Sequence, residues 1–340
     1  MNMIQRLRAL ALLVALPLLA CSGSDASSSS TTGATGGMPD GGPADASPGD
    51  PSILAGTFQV RLVAPVPAMN GEPETAGYAA VLGKVYDGPT PSQIVWEKGT
   101  KDGACQLLTP RVPFCSTPCG GSAVCVEDEM CQPYPSAHSV GKVTAKGLKT
   151  ESGATEFSMQ PIANNYQTPA GLKLLYPPFA EGDNVTFEAS GDHFSAFSVQ
   201  STGISPLEIT NASIAIEKDL PIKLTWTPPG KAGTTTIHVK LDISHHGGTK
   251  GLIECDTEDT GSLELSAAIL TELVNLGVAG FPTISVTRRA VGSTTIAPGR
   301  VELVVASDVE RPVQIPGLTS CTDDTQCPSG QTCQQDLTCK

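Results

Sequence analysis

The chain has 340 residues, of which only 16% are charged and 4% aromatic, whereas glycine (35) and proline (28) are abundant. This composition excludes a coiled-coil or long-helix protein and is typical of a turn-rich β protein. A net charge of −13 repels phosphate backbones, so the composition also argues against nucleic-acid binding.

The N-terminus predicts a signal peptide over residues 1–20. Arg6 and Arg8 provide a basic start, and the apolar run 9–20 follows. This run is too short to cross a membrane as a helix, which needs about 20 residues. It ends in Leu-Leu-Ala-Cys, which resembles the lipobox of bacterial lipoproteins. The resemblance implies cleavage before Cys21, attachment of lipid to that cysteine and anchoring in a membrane. Ser22 in the next position favours the outer membrane.

Residues 21–52 are predicted to form a lipidated, disordered tether. The segment is rich in serine, glycine and aspartate and has almost nothing to bury. A flexible chain of this length reaches roughly 30 Å. The tether would therefore hold the folded body away from the membrane surface.

Beyond the tether, alternating apolar and polar residues predict antiparallel strands with one solvated face. The clearest runs are Phe58-Val60-Leu62, Ile222-Leu224-Trp226, Ile237-Val239-Leu241-Ile243 and Val301-Leu303-Val305. The proline- and glycine-rich segment 228–233 predicts a hairpin between two of these strands. One short helix is predicted after Ser266, which would cap it, and Gly277 would end it.

These patterns predict a mainly β protein of antiparallel β-sandwiches with one short helix and small disulfide-rich modules. We divide the body near residue 180. Residues 53–179 are predicted to be a β-rich domain with a cysteine cluster at 105–131, and residues 180–318 a β-sandwich that includes the helix. Residues 319–340 are predicted to be a small cysteine-rich module.

Ten cysteines remain once Cys21 is set aside, an even number that predicts disulfide bonds in an oxidising compartment. They are Cys105, Cys115, Cys119, Cys125, Cys131, Cys255, Cys321, Cys327, Cys333 and Cys339. For the last four, which are evenly spaced, we expect first-to-third and second-to-fourth pairing. The first group has an odd member, so either Cys105 bonds to Cys255 or Cys255 is a free thiol. Zinc is the other interpretation of such groups, but zinc sites usually contain CxxC pairs, which the sequence lacks.

The cysteine-rich tail resembles, together with the lipobox and the tether, lipoproteins that are abundant in large-genome Gram-negative soil bacteria. The resemblance rests on a tail of the form CxxDxxCPxGxxC at residues 321–333. It indicates an extracytoplasmic compartment and a disulfide-linked type of module. It implies no activity and no ligand.

Two adjacent histidines are the main candidates for chemistry. His245 and His246 lie between Asp242 and Glu254, and imidazole with carboxylate is a suitable ligand set for a divalent metal. Adjacent residues of a strand point to opposite faces, so we favour a polar hairpin end over a metal site. The sequence contains no GxSxG, HExxH or Walker motif. We therefore predict no catalytic residue and no cofactor.

The leading hypothesis is a membrane-anchored extracytoplasmic protein for binding, adhesion or envelope structure, with a protein or a glycan as partner. One alternative is an extracytoplasmic hydrolase whose site includes His245 and His246. Another is a sensor or regulator that docks a partner along a sheet edge. A deep pocket of convergent acids or histidines would favour the hydrolase, and an exposed patch would favour the binding protein.

Overall fold

The computed structural model describes residues 49–65, 74–92 and 94–340. The predicted signal peptide, Cys21 and most of the tether lie outside the described residues. Within the described ranges, no helix is long and apolar enough to cross a membrane.

The regular elements of the described chain are mainly strands, as predicted. Its first nine strands are β1 (Leu54–Val63), β2 (Tyr78–Tyr86), β3 (Val95–Asp102), β4 (Cys105–Arg111), β5 (Ala123–Glu127), β6 (Met130–Pro133), β7 (Ala137–His138), β8 (Val143–Lys146) and β9 (Glu156–Met159). The other nine are β10 (Asn165–Gln167), β11 (Asn184–Ala189), β12 (Phe197–Thr202), β13 (Ile222–Thr225), β14 (Thr236–Asp242), β15 (Leu252–Glu258), β16 (Ser262–Leu265), β17 (Thr283–Ile296) and β18 (Gly299–Pro312). The α-helix is α1 (Ala267–Asn275), and one 3₁₀ turn spans Asp324–Gln326.

A ten-stranded sheet is the largest sheet of the described chain. Its order is β10-β2-β1-β18-β17-β14-β15-β4-β3, and β7 also pairs with β2. Most neighbours are antiparallel, as expected, but β1 and β18 are parallel, with Val60 opposite Val305. The two strands are separated by most of the chain. No short connection therefore imposes an antiparallel direction on them.

Two smaller sheets and the helix cover the inner face of the large sheet. The four-stranded sheet, in the order β12-β11-β8-β9, shares one hydrophobic core with β1, β2 and β18. Phe58 of β1 contacts Phe187 of β11 there, with ring centroids 5.6 Å apart. The pair β13-β16 and helix α1 share a second core with β14, β15 and β17. Burial of these apolar faces is the main stabilising contribution to the fold.

Strands from both sides of residue 180 lie side by side in these sheets. In the ten-stranded sheet β1 pairs with β18, and in the four-stranded sheet β8 pairs with β11. The described residues also form one compact unit. Residues 53–179 and 180–318 therefore share their sheets and do not each form a separate one.

The hairpin predicted at 228–233 was wrong. Strand β13 pairs with β16, while β14 pairs with β15 and β17. The segment instead carries the chain from the two-stranded sheet to the ten-stranded sheet. Proline and glycine mark a change of direction, but they do not specify which strands pair.

The predicted helix is present with the predicted ends. The side chain of Ser266 accepts a hydrogen bond from the N–H of Ile269, as an N-cap does. Ile269, Leu270 and Leu273 are buried against the second core. The chain leaves the helix at Gly277, whose φ of 95° favours glycine.

A buried ion pair joins the large sheet to the loops that cover it. Arg288 of β17 and Asp259 have side chains that are each 1% exposed, and Nε of Arg288 lies 2.6 Å from Oδ2 of Asp259. Arg288 also donates to backbone carbonyls of Thr227 and Pro206. Asp259 accepts from Nε1 of Trp226 at 2.7 Å. The charges are thus both paired and hydrogen-bonded, which burial requires.

Candidate binding surface

The cysteine cluster forms a small module that follows strand β4. We call residues 112–134 the cystine module. It contains the two-stranded sheet β5-β6. Its disulfides are Cys115–Cys125 and Cys119–Cys131. Because so short a segment cannot bury a core of its own, these two cross-links are what hold its loops in place.

Hydrogen bonds fix the start of the module on its own hairpin. The N–H of Phe114 donates to Oδ1 of Asp128 at 2.9 Å, and the N–H of Glu129 donates to the carbonyl of Phe114 at 3.0 Å. Nη2 of Arg111 lies 2.5 Å from Oδ2 of Asp128. The Phe114 N–H first, and then the Arg111 guanidinium, hold the pKa of Asp128 below its ordinary value. The backbone that carries Phe114 is therefore anchored at neutral pH.

Large apolar side chains of the cystine module point into solvent. Val112 is 91% exposed, Phe114 70%, and Met130 and Tyr134 52% each. Phe114 also borders an open groove of about 570 Å³. Leaving apolar surface in water costs about 25 cal/mol per Å², and a cluster of such side chains on a rigid support is a sign of a binding surface.

The module itself carries only negative charges, one of which, Asp128, is paired with Arg111 at its edge. Glu127, Asp128 and Glu129 are exposed, and residues 112–134 contain no lysine or arginine. Glu129 accepts hydrogen bonds from the backbone and hydroxyl of Ser116. The module thus carries exposed apolar side chains and an acidic hairpin tip, and it complements a partner that offers both apolar and basic side chains.

The cystine module follows the hairpin β3-β4 and precedes β7, which pairs with β2. Nε2 of Gln132 in the module also donates to the carbonyl of Pro89 at 2.9 Å. Strand β4 pairs with β15 at four positions, from Leu108 opposite Leu252 to Cys105 opposite Cys255. Cys105 and Cys255 form a disulfide with a Cα–Cα distance of 4.0 Å. Of the two outcomes that the sequence left open for Cys255, the structure has the disulfide. This bond ties the arm that carries the binding surface to the body.

The terminal cysteines also pair, first with third and second with fourth. The bonds are Cys321–Cys333 and Cys327–Cys339. The terminal module contacts the body at Gly280, whose N–H donates to the carbonyl of Asp336 at 2.7 Å. The hydroxyl of Ser320 donates to the carbonyl of Gly280 at 2.6 Å.

The structure does not assemble Asp242, Glu254, His245 and His246 into one site. The rings of His245 and His246 contact each other, with centroids 3.9 Å apart. Asp242 instead accepts hydrogen bonds from the N–H and hydroxyl of Ser244. Glu254 lies opposite Lys240 in the sheet.

The segment around the two histidines is a hairpin end, as the sequence favoured, since it connects the paired strands β14 and β15. Within the described ranges, the groups of three or more potential ligand atoms that lie close together consist of disulfide-bonded cysteines.

The sequence analysis predicted disulfides in this segment but gave no role to its apolar side chains. A signal was present, since Val112, Phe114, Met130 and Tyr134 stand among cysteines in a segment too short to bury them. Bulky apolar residues in such a segment predict a surface role.

Comparisons with known proteins leave the chain without an assigned family. No protein-family model matches it, and no curated protein matches it. Among solved structures, the three fibronectin domains FN1–FN3 of chicken CNTN1 align over 71% of both chains at 9% identity, with a TM-score of 0.17. A score this low does not establish a shared fold.

Proposed function

We propose that this protein is a membrane-anchored extracytoplasmic binding protein that presents the cystine module to a protein partner. The observation that carries the proposal is the cluster of exposed apolar side chains, led by Val112 and Phe114, on a disulfide-linked support. Interfaces of proteins are enriched in aromatic side chains and methionine at their centres. A support that is rigid before binding reduces the entropy lost on association.

The anchor is the second part of this proposal. The lipobox at Cys21 would attach the chain to the membrane, with Ser22 directing it to the outer membrane. The tether 21–52 would allow the body to search the space near the membrane for its partner. No catalytic step is part of the proposed role.

Replacing Cys21 by alanine is expected to abolish membrane partitioning and to leave an unprocessed precursor or a soluble protein. The reason is that a lipid attached to that cysteine would supply the membrane affinity, about 0.8 kcal/mol for each buried CH₂ group. Intact mass spectrometry of the wild-type protein should show a mature start at Cys21 with acyl mass. A mature start elsewhere, without acyl mass, would contradict the anchor.

Replacing Phe114 by aspartate is expected to weaken partner binding at least about 20-fold, because a charge would replace an exposed apolar anchor that borders the groove. A photo-crosslinking residue at Val112, used in intact cells, would capture the partner for purification. Affinity of the purified pair would then be measured at several salt concentrations. We expect weaker binding at high salt, because the acidic tip 127–129 would attract basic side chains of the partner.

The matched control is Leu220→Asp, since Leu220 is 51% exposed but lies outside the cystine module. It should leave the affinity unchanged. Equal losses for Phe114→Asp and Leu220→Asp would overturn the proposed surface, as would a captured protein whose purified form does not bind.

A further inference from the structure

A second concave surface lies on the outer face of the large sheet, at the end of the strand order formed by β10, β2 and β1. Thr57, Gln59, Leu82, Lys84, Asn165 and Gln167 line a cavity of about 600 Å³ there. We call this cavity the amide groove. Its volume is in the range of ligand sites in proteins.

Strand alternation builds the floor of the amide groove. In β1, Phe58 is fully buried in the core, so its neighbours Thr57 and Gln59 point to the opposite face. Register then aligns Gln59 with Leu82 of β2 and Gln167 of β10. Residues directly opposite each other on one face have Cβ atoms about 5 Å apart. The two glutamine side chains therefore flank Leu82 in a single row.

A tight turn forms one wall of the groove. Ala163 and Asn164 both have positive φ, 48° and 60°, as the two-residue turn of a hairpin requires. Ile162 and Asn165 exchange two backbone hydrogen bonds on either side of that turn. Ile162 is exposed and also lines the groove. The wall thus adds an apolar side chain that is held by a rigid backbone.

The groove continues past Lys84 into a smaller cavity. Thr57 and Lys84 also line a cavity of about 240 Å³ together with Tyr86 and Pro89. Nζ of Lys84 lies 5.3 Å from the centroid of the Tyr86 ring. An aromatic face therefore stands at one end, and Leu82 with its two flanking glutamines stands at the other. Thr57 and Asn165, opposite Lys84, lie between the two ends.

The amide groove lacks carboxylates, although the chain has a net charge of −13. Among the described residues that line the two cavities, Lys84 is the single charged one. The nearest acid in the sheet register is Glu302, opposite Thr57, and Arg300 binds it at 2.8 Å. An acid-free surface on so acidic a protein offers a ligand neutral hydrogen-bonding groups.

Several polar side chains of the groove have hydrogen-bonding groups that the protein itself does not use. Among the described residues, the side chains of Thr57, Gln59 and Gln167 make no hydrogen bond to the protein. Each glutamine amide offers two donors and an acceptor, and the threonine hydroxyl offers both roles. Groups that both donate and accept match sugar hydroxyls, which do the same.

We propose that the amide groove binds an uncharged polysaccharide strand. The amides and Thr57 would pair with sugar hydroxyls, while Tyr86, Leu82 and Ile162 would cover the apolar C–H faces of the rings. An acidic polysaccharide is disfavoured because the net charge of the protein repels it. A peptide that adds a strand would need a long free edge, whereas β10 has only three residues. This inference goes beyond the proposed function, which concerns a different surface.

The test measures retention of the full chain by soluble polysaccharides in affinity electrophoresis, followed by calorimetry. The probes are an uncharged β-glucan, an α-glucan, a mannan and a galactan. We expect at least one to bind, and we expect Gln59→Ala with Gln167→Ala to weaken that binding at least about tenfold by removing two sets of hydrogen bonds. Gln200→Ala, an exposed glutamine of β12, is the matched control and should bind as the wild type does.

The thermal midpoint of each variant shows whether it is folded. If the double variant does not fold, the single variant Gln167→Ala is used in its place. Phe114→Asp should bind the polysaccharide normally, which separates this site from the cystine module. The proposal is overturned if no uncharged probe binds, or if the groove variants bind as tightly as Gln200→Ala. It is also overturned if only an acidic polysaccharide binds and Lys84→Gln abolishes that binding.

Discussion

Replacing Arg288 by methionine is expected to lower the free energy of unfolding by about 3–5 kcal/mol, the usual effect of removing one partner from a buried ion pair. The change would leave the carboxylate of Asp259 buried without its cation. It would also leave the carbonyls of Thr227 and Pro206 without the donors that Arg288 supplies. Denaturant unfolding, with the midpoint and the slope measured separately, would give the size of the effect.

The neighbouring residue provides the control. Arg289 points to the outer face, where its side chain is 34% exposed, and it binds Asp256. Exposed ion pairs contribute about 0–1 kcal/mol, so Arg289→Met should have a small effect. Two equal, small losses would mean that the buried network does not stabilise the fold as its geometry implies.

Removing the Cys105–Cys255 disulfide, by replacing both cysteines with alanine, is expected to cost up to about 5 kcal/mol. The bond closes a loop with a sequence separation of 150 residues, and the constraint on the unfolded chain grows with loop length. Both positions are buried, and alanine adds no polar group there. The free energy of unfolding from denaturant titration would measure the loss.

The same variant should also release the arm that carries the cystine module. Strand β4 pairs with β15 at only four positions, so without the disulfide the hairpin β3-β4 would be held mainly by this short ladder and by Leu107 in the second core. Hydrogen exchange at Leu107 and Leu108 should accelerate more than at Val305 in the centre of the sheet. The control is a double alanine variant at Cys327 and Cys339. It removes a disulfide that spans only 12 residues in the terminal module, and it should leave hydrogen exchange in β4 unchanged. Unchanged exchange in the Cys105/Cys255 variant would contradict this attachment.

Local patterns in the sequence predicted local structure well. The alternation of Phe58, Val60 and Leu62 placed these residues on one buried face, and Ser266 and Gly277 marked the ends of the helix. These features depend on neighbours along the chain. The even spacing of the last four cysteines likewise confined their disulfides to the terminal module.

Features that depend on distant partners were not predictable in the same way. Arg288 and Arg289 are adjacent and chemically identical, yet one is buried with Asp259 and the other faces solvent. The parallel pairing of β1 with β18 joins segments more than 200 residues apart, and neither strand carries a sequence signal that identifies its partner. The amide groove likewise depends on pairing between separate segments, because its residues are brought together by the pairing of β2 with β1 and with β10.

The interior position of β1 in the sheet has a mechanical consequence for an anchored protein. The strand begins at Leu54, soon after the proposed tether, and it is hydrogen-bonded on both sides, to β2 and to β18. Tension from the membrane would enter the body along the axis of this strand. The hydrogen bonds to both neighbours lie across that axis, so the pull would load all of them together in shear. An edge strand that is peeled away would instead lose its hydrogen bonds one after another. The body would therefore resist extraction by force at the end where the anchor attaches.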